Sequence, residues 1–340
     1  MSATIFFVSL VGAAVAAVLV YGGIACAIAR LKQVALAKPN QRSSHVVPTP
    51  QGAGIVIVPV ALSVGGVALA LSASPPPGGA AYLLAVAAAT LALTIVGFLD
   101  DMRGLGVAFR LAAQALAAVL AVALMPGDMR VFPSLVPLAI ERLLLIAALL
   151  WFINLFNFMD GIDLISVAET ATITLGIAIL AASSAIPSPF GSIALALFGA
   201  MMGFAPWNAP PARLFLGDAG SLPLGFLLGV LLIHAAASNA LAAAVILPLY
   251  YLADATITLL RRLARGERVW EAHRQHFYQQ ATRNGFAVKE IALRIAALGA
   301  GLIALAAAST LDGQITAAIA LLVAAAAVAL TLRSFAHPRH

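Results

Sequence analysis

Apolar residues run along this chain in long blocks, separated by short polar segments at a spacing of roughly one membrane thickness. The blocks lie at residues 3–29, 53–72, 80–99, 109–125, 137–155, 164–184, 188–206, 219–236, 239–260, 288–309 and 312–332. At about 1.5 Å per residue, several are long enough to cross about 30 Å of hydrocarbon as helices. Transmembrane strands would be about ten residues long and would alternate in polarity, and no block alternates. The pattern predicts an all-α, polytopic membrane protein of about eleven transmembrane helices. It forms a single multi-spanning domain over 1–340, and its polar loops of interest lie at 30–52, 100–108, 154–163, 206–218 and 261–287.

Composition agrees. The chain is 63% hydrophobic and 9% charged, with a mean hydropathy of +1.04, where a soluble domain carries about 25% charge. In a soluble protein a net charge of +6 would raise nucleic acid as a partner. Here the basic residues sit in loops, so the partner is the bilayer and no nucleic acid is expected. With loops placed alternately, all but Arg130, Arg142 and Arg294 of the 19 Lys and Arg residues fall on one side or in the C-terminal tail. Positive loops stay cytoplasmic, which predicts an external N-terminus and a cytoplasmic C-terminus. The first block lacks a basic leader and is too long for a signal-peptide core, so it reads as a retained helix. Cys26 stands alone and allows no disulfide within the chain.

Only 13 acidic residues exist, and several cluster at the same predicted face. Asp100 and Asp101 are adjacent at the end of a block; within a helix they would point about 100° apart, whereas in a loop they could face one ion. They read either as a solvated boundary pair or as site residues. Asn154, Asn157, Asp160 and Asp163 recur every third position, which on a helix makes one polar stripe among Leu, Phe and Met. Gly161 would let that helix open. Such a stripe lines a cleft or bonds a neighbouring helix. Asp218, flanked by glycine in FLGDAGS, reads as a helix cap or as a hard oxygen ligand suited to Mg²⁺. No cluster of cysteines or paired histidines suggests zinc.

Cationic chemistry shares the face. Residues 261–284 carry Arg261, Arg262, Arg265 and Arg268 ahead of His273, Arg274 and His276. Arg and protonated His donate to phosphate oxygens, although a juxtamembrane basic run also anchors lipid head groups. Arg42 and His45 lie in a Pro- and Gly-broken loop.

Acids that hold a cation, bases that hold phosphate and a membrane cleft together point to phosphoryl chemistry between a soluble donor and a lipid. RSSHVVPTPQGAG, GFLDDMRG, NLFNFMDGID, FLGDAGS and HRQHFYQQ occur in this order. The series resembles the polyprenyl-phosphate N-acetylhexosamine-1-phosphate transferase family (glycosyltransferase family 4) over about residues 39–285. The resemblance implies transfer of a sugar-1-phosphate from a UDP-sugar to undecaprenyl phosphate, with release of UMP and dependence on Mg²⁺, with Mn²⁺ as a possible substitute. It places the metal at Asp218 with help from Asn157. It assigns Asp100 and Asp101 to the lipid-phosphate and metal region, one of them a candidate base, and the Asp160 and Asp163 region to the nucleotide side. Asn154 joins the substrate-binding set, as do His273, Arg274 and His276, which hold the donor's phosphates or sugar, and Arg42 and His45.

The resemblance further implies a bacterial inner-membrane location with a cytoplasmic site, and a homodimer as a possible assembly. Two departures mark this chain. GIDLIS lacks the glycine that commonly follows the second Asp, and the last motif lacks consecutive histidines. The second departure is similar to the branch that initiates O-antigen or related surface polysaccharides, with a UDP-N-acetylhexosamine or deoxy derivative as donor. The alternative within the family is phospho-N-acetylmuramoyl-pentapeptide transferase. From another class, a secondary transporter would also place Asp160, Asp163 or Glu169 by a cleft, but would need ionisable residues near the midplane.

Overall fold

A computed structural model describes residues 1–37, 48–72, 78–133, 135–268, 273–311 and 313–338. The helices are α1 (Ala3–Val34), α2 (Gly54–Ala70), α3 (Gly79–Arg103), α4 (Val107–Ala123), α5 (Leu138–Met159), α6 (Ile165–Ala182) and α7 (Ser188–Asn208), continuing with α8 (Asp218–Ala237), α9 (Leu241–Ile246), α10 (Leu249–Ala264), α11 (Phe277–Arg283), α12 (Val288–Ala308) and α13 (Gly313–Ala336). Among the described residues the only strands are β1 (Leu36–Ala37) and β2 (Thr49–Pro50), an antiparallel two-residue pair. The all-α expectation therefore describes the molecule apart from this clip.

Eight helices, α1, α3, α5, α6, α7, α8, α12 and α13, are long and apolar enough to cross a membrane. The apolar helices α2 and α4 are shorter. Most of α1 and α13 faces outward, whereas α8 is 94% buried over its apolar window, so α8 is the axis of the bundle. It packs against α3 and α5 most extensively, and also against α2, α9, α6 and α4. Small residues make this possible. A Cβ on Gly97 of α3 would strike the Asp218 carbonyl, and one on Gly54 would strike the backbone of Ala219 and Gly220. The ends of α2 and α3 and the start of α8 therefore meet backbone to backbone.

One expected span is corrected. Residues 239–260 read as a single helix, but the chain breaks between α9 and α10, with Pro248 as the residue before α10. Proline has no N–H to continue the ladder and its ring crowds the preceding turn. The break leaves backbone N–H groups at the start of α10 without helical partners.

Candidate active site

The polar stripe is the second correction. Asn154 and Asn157 lie on α5, but the helix stops at Met159, and Asp160 and Asp163 follow it in a turn. The stripe therefore divides. Asn157 and both aspartates border a polar cavity of about 270 Å³, together with Asp101 and Asp218. Asn154 faces the other way, donating to Gln114 of α4 (2.7 Å) and to the Leu150 carbonyl (2.8 Å).

The adjacent pair Asp100 and Asp101 also separates, because α3 continues as helix through both to Arg103. Asp101 caps α8 from outside: the backbone N–H groups of Asp218 and Ala219 donate to its two carboxylate oxygens at 3.0 and 3.1 Å. The residue before α8 is Gly217, which has no side chain to do this, and a carboxylate at a helix N-terminus is favoured by the orphan N–H groups and the helix dipole. Asp100 turns away, accepting from the Leu105 N–H and from Arg110 Nη1 at 2.8 Å. Arg110, in the first turn of α4, donates from the same nitrogen to Asp218 at 3.0 Å.

Asp218 does not cap its own helix. Its carboxylate meets Arg110 on one side and Asn157 Nδ2 on the other at 2.8 Å, and Asn157 also reaches Ser221 (2.8 Å). Asp160 accepts from Ser166 at 2.6 Å. Burial pushes the Asp160 carboxyl up to about 7, against the Ser166 hydrogen bond and with help from the charges of Asp218 and Asp163. Asp163 accepts from the Ala212 N–H at 3.0 Å. Asn208 ties the pocket's walls together: its Oδ1 accepts from the Leu164 N–H (2.7 Å) and its Nδ2 donates to the Leu214 carbonyl (3.0 Å).

Four carboxylates therefore face one cavity: Asp101, Asp160, Asp163 and Asp218. Arg110 is the cation paired with Asp218. Among the described residues no group of three or more His, Cys, Asp or Glu side chains is arranged to hold a metal ion. The donor chemistry nevertheless fits Mg²⁺. Asp218 would offer a carboxylate and Asn157, whose amide nitrogen faces Asp218 here, an amide oxygen after rotation of the amide; this ion typically takes one or two carboxylates, several waters and substrate phosphates.

A second cavity, about 450 Å³, opens on the other side of Asn157. Arg110, Gln114, Asn154 and Asn157 face it, and its remaining lining is apolar, including Leu111, Leu150, Trp151 and Leu259. Asn157 is common to both cavities.

The histidine segment does not line either cavity. His276 is buried and meets Asp254 at 3.1 Å. Burial, beside His276 and Arg262, pushes the His273 imidazole down to about 4, so it is neutral at physiological pH. Arg274 is not among the lining residues. Arg42 and His45 lie outside the described residues. Sequence reading passed over Arg110, Ser221, Asn208 and Gln114. Only Arg110 carried a usable signal, a lone cation in the first turn of an apolar helix. The others are ordinary polar residues whose importance depends on long-range neighbours.

The family model of glycosyl transferase family 4 matches residues 83–236, which contain three of the five motifs. The chain is 28% identical over 312 residues to decaprenyl-phosphate N-acetylglucosaminephosphotransferase of Mycolicibacterium smegmatis, covering 82% of this chain and 75% of the relative. The Mycobacterium leprae protein of that name is 26% identical, with coverage of 82% and 77%. Phospho-N-acetylmuramoyl-pentapeptide-transferase of Synechococcus sp. (strain CC9311) is 32% identical, covering 63% of this chain and 60% of the relative.

Proposed function

Because the chain belongs to glycosyl transferase family 4, we propose that it transfers a sugar-1-phosphate from a UDP-N-acetylhexosamine to undecaprenyl phosphate, at the cytoplasmic face of a bacterial inner membrane. The observation that carries this reading is the pair of cavities meeting at Asn157, one polar and acidic, the other mostly apolar with Arg110 at its head. A water-soluble donor and a lipid acceptor require two such approaches.

The acceptor's isoprenoid chain suits the apolar groove, and its phosphate then meets Arg110, which Asp100 orients. Arg binds phosphate oxygens strongly and in fixed geometry. The donor occupies the acidic cavity. Its negative charge there calls for a cation, and Mg²⁺ held by Asp218 and Asn157 would neutralise the pyrophosphate and stabilise the leaving UMP.

An oxygen of the acceptor phosphate attacks the phosphorus that bears the sugar. The pyrophosphate P–O bond breaks and UMP leaves with the electron pair. The acceptor phosphate has a second pKa near 6 and needs no strong base. Both oxygens of Asp100 and both of Asp101 are already engaged. That favours direct attack over a route through an aspartyl intermediate.

The similarity to mycobacterial relatives named for N-acetylglucosamine phosphate supports an N-acetylhexosamine donor, and the lipid-linked product of the proposed reaction would start a surface polysaccharide of the O-antigen type. A second reading, the muramoyl-pentapeptide donor, is favoured by the 32% identical relative of that name. The test is purified protein with undecaprenyl phosphate, Mg²⁺ and a panel of UDP-sugars that includes the muramoyl-pentapeptide. UMP release with a matching lipid product is expected for one N-acetylhexosamine. Turnover only with the muramoyl-pentapeptide replaces the first reading by the second, and no turnover with any donor overturns both.

A further inference from the structure

Residues 160–163 follow the end of α5, yet all of them line the acidic cavity. Two straps reach this turn, and both start on α10. The first is short: the Tyr251 hydroxyl lies 3.2 Å from Ser166 Oγ, which donates to Asp160 at 2.6 Å. The second begins at Asp254, which is fully buried. Its carboxylate accepts the backbone N–H groups of Phe277 (3.0 Å) and Tyr278 (3.2 Å), so it pins the first turn of α11. His276 Nδ1 and the hydroxyls of Thr258 and Tyr250 complete its contacts.

From this anchor the Tyr278 side chain reaches α5 and donates its hydroxyl to the Phe158 carbonyl at 3.2 Å. That carbonyl belongs to the last turn of α5, where a helix leaves its acceptors unpartnered. The same hydroxyl occupies the space that a Cβ on Gly161 would need. The hydroxyl therefore touches the chain at two points, two residues before and one residue after Asp160. The histidine segment, which lines neither cavity, is connected to the acidic wall through the Tyr278 phenol.

We propose that Tyr278 is a positioning residue for the donor pocket: its hydroxyl, held by α11 and Asp254, sets the backbone of residues 158–161 and with it the placement of Asp160 and Asp163. The word donor rests on the function proposed above; the strap itself does not. Asp254 acts one step further back, by fixing α11.

The test is Tyr278→Phe, which keeps the ring and the α11 anchor and deletes only the hydrogen bond. Hydrogen exchange of amides 159–164 is expected to speed up about 10-fold, the scale of one buried hydrogen bond, while amides 277–283 keep their protection. In turnover, KM for the UDP-sugar rises about 10-fold and KM for undecaprenyl phosphate is unchanged. Gly161→Ala supplies an independent arm: alone it collides with the hydroxyl, and combined with Tyr278→Phe it recovers part of the donor KM. Unchanged exchange at 159–164, an equal rise in both KM values, or additive effects in the double variant would overturn the proposal. If the wild-type protein turns over no donor, the function is rejected while the exchange measurement still decides the strap.

Discussion

Asp218 stands between Arg110 and Asn157, and Asp101 holds the helix on which Asp218 begins, so two aspartates of one pocket do different work. Asp218→Asn preserves the shape, and its one amide oxygen can still accept from Asn157, but it loses the Arg110 ion pair and the charge that a metal requires. Mg²⁺-dependent UMP release is expected to fall about 100-fold or more, equivalent to about 3 kcal/mol of transition-state stabilisation, with little change in melting temperature. An active variant refutes the metal assignment. Asp101→Ala instead removes a cap, and a loss of about 1–2 kcal/mol in stability accompanies any loss of turnover. His273 gives a pH signature. Its folded pKa, near 4, is depressed below the ordinary histidine value. The unfolded chain therefore binds the proton first, so the stability from neutral His273 is complete above about pH 6.5 and is lost as pH falls toward about 4. Melting temperature should drop between pH 7 and pH 5, and less so in His273→Gln; equal slopes would contradict the assignment.

At the scale of elements, the site depends on two departures from regular helices. The first is the backbone contact of α3 with α8 at Gly97. Gly97→Ala must push the two helices apart, and an overpacked core contact costs about 1–3 kcal/mol. Melting temperature and turnover should fall together, because Asp101 moves away from the N–H groups it caps. The second is the break before α10. It separates α9 from the segment carrying Tyr251 and Asp254.

At the scale of the molecule, two cavities of opposite polarity converge on one residue of α5. A charge placed in the apolar groove and away from Asn157, as in Leu150→Lys, should raise KM for undecaprenyl phosphate about 10-fold or more and leave KM for the UDP-sugar unchanged, since burying an ammonium in apolar surroundings is costly. A rise in both would mean that the two approaches are not separate.

Residue chemistry and periodicity determined a good deal on their own. Block length settled the all-α class, because apolar runs of that size have no other use. Scarcity made Asp101, Asn157, Asp160, Asp163 and Asp218 conspicuous, and all five line the acidic cavity. What sequence could not decide was direction. Whether α3 runs on through Asp100 and Asp101, where α5 stops, and which way His276 turns depend on partners more than a hundred residues away or on a neighbouring helix. A local pattern records which residues are polar, but the hydrogen-bond partner that fixes each one's role is supplied only when distant backbone is packed beside it.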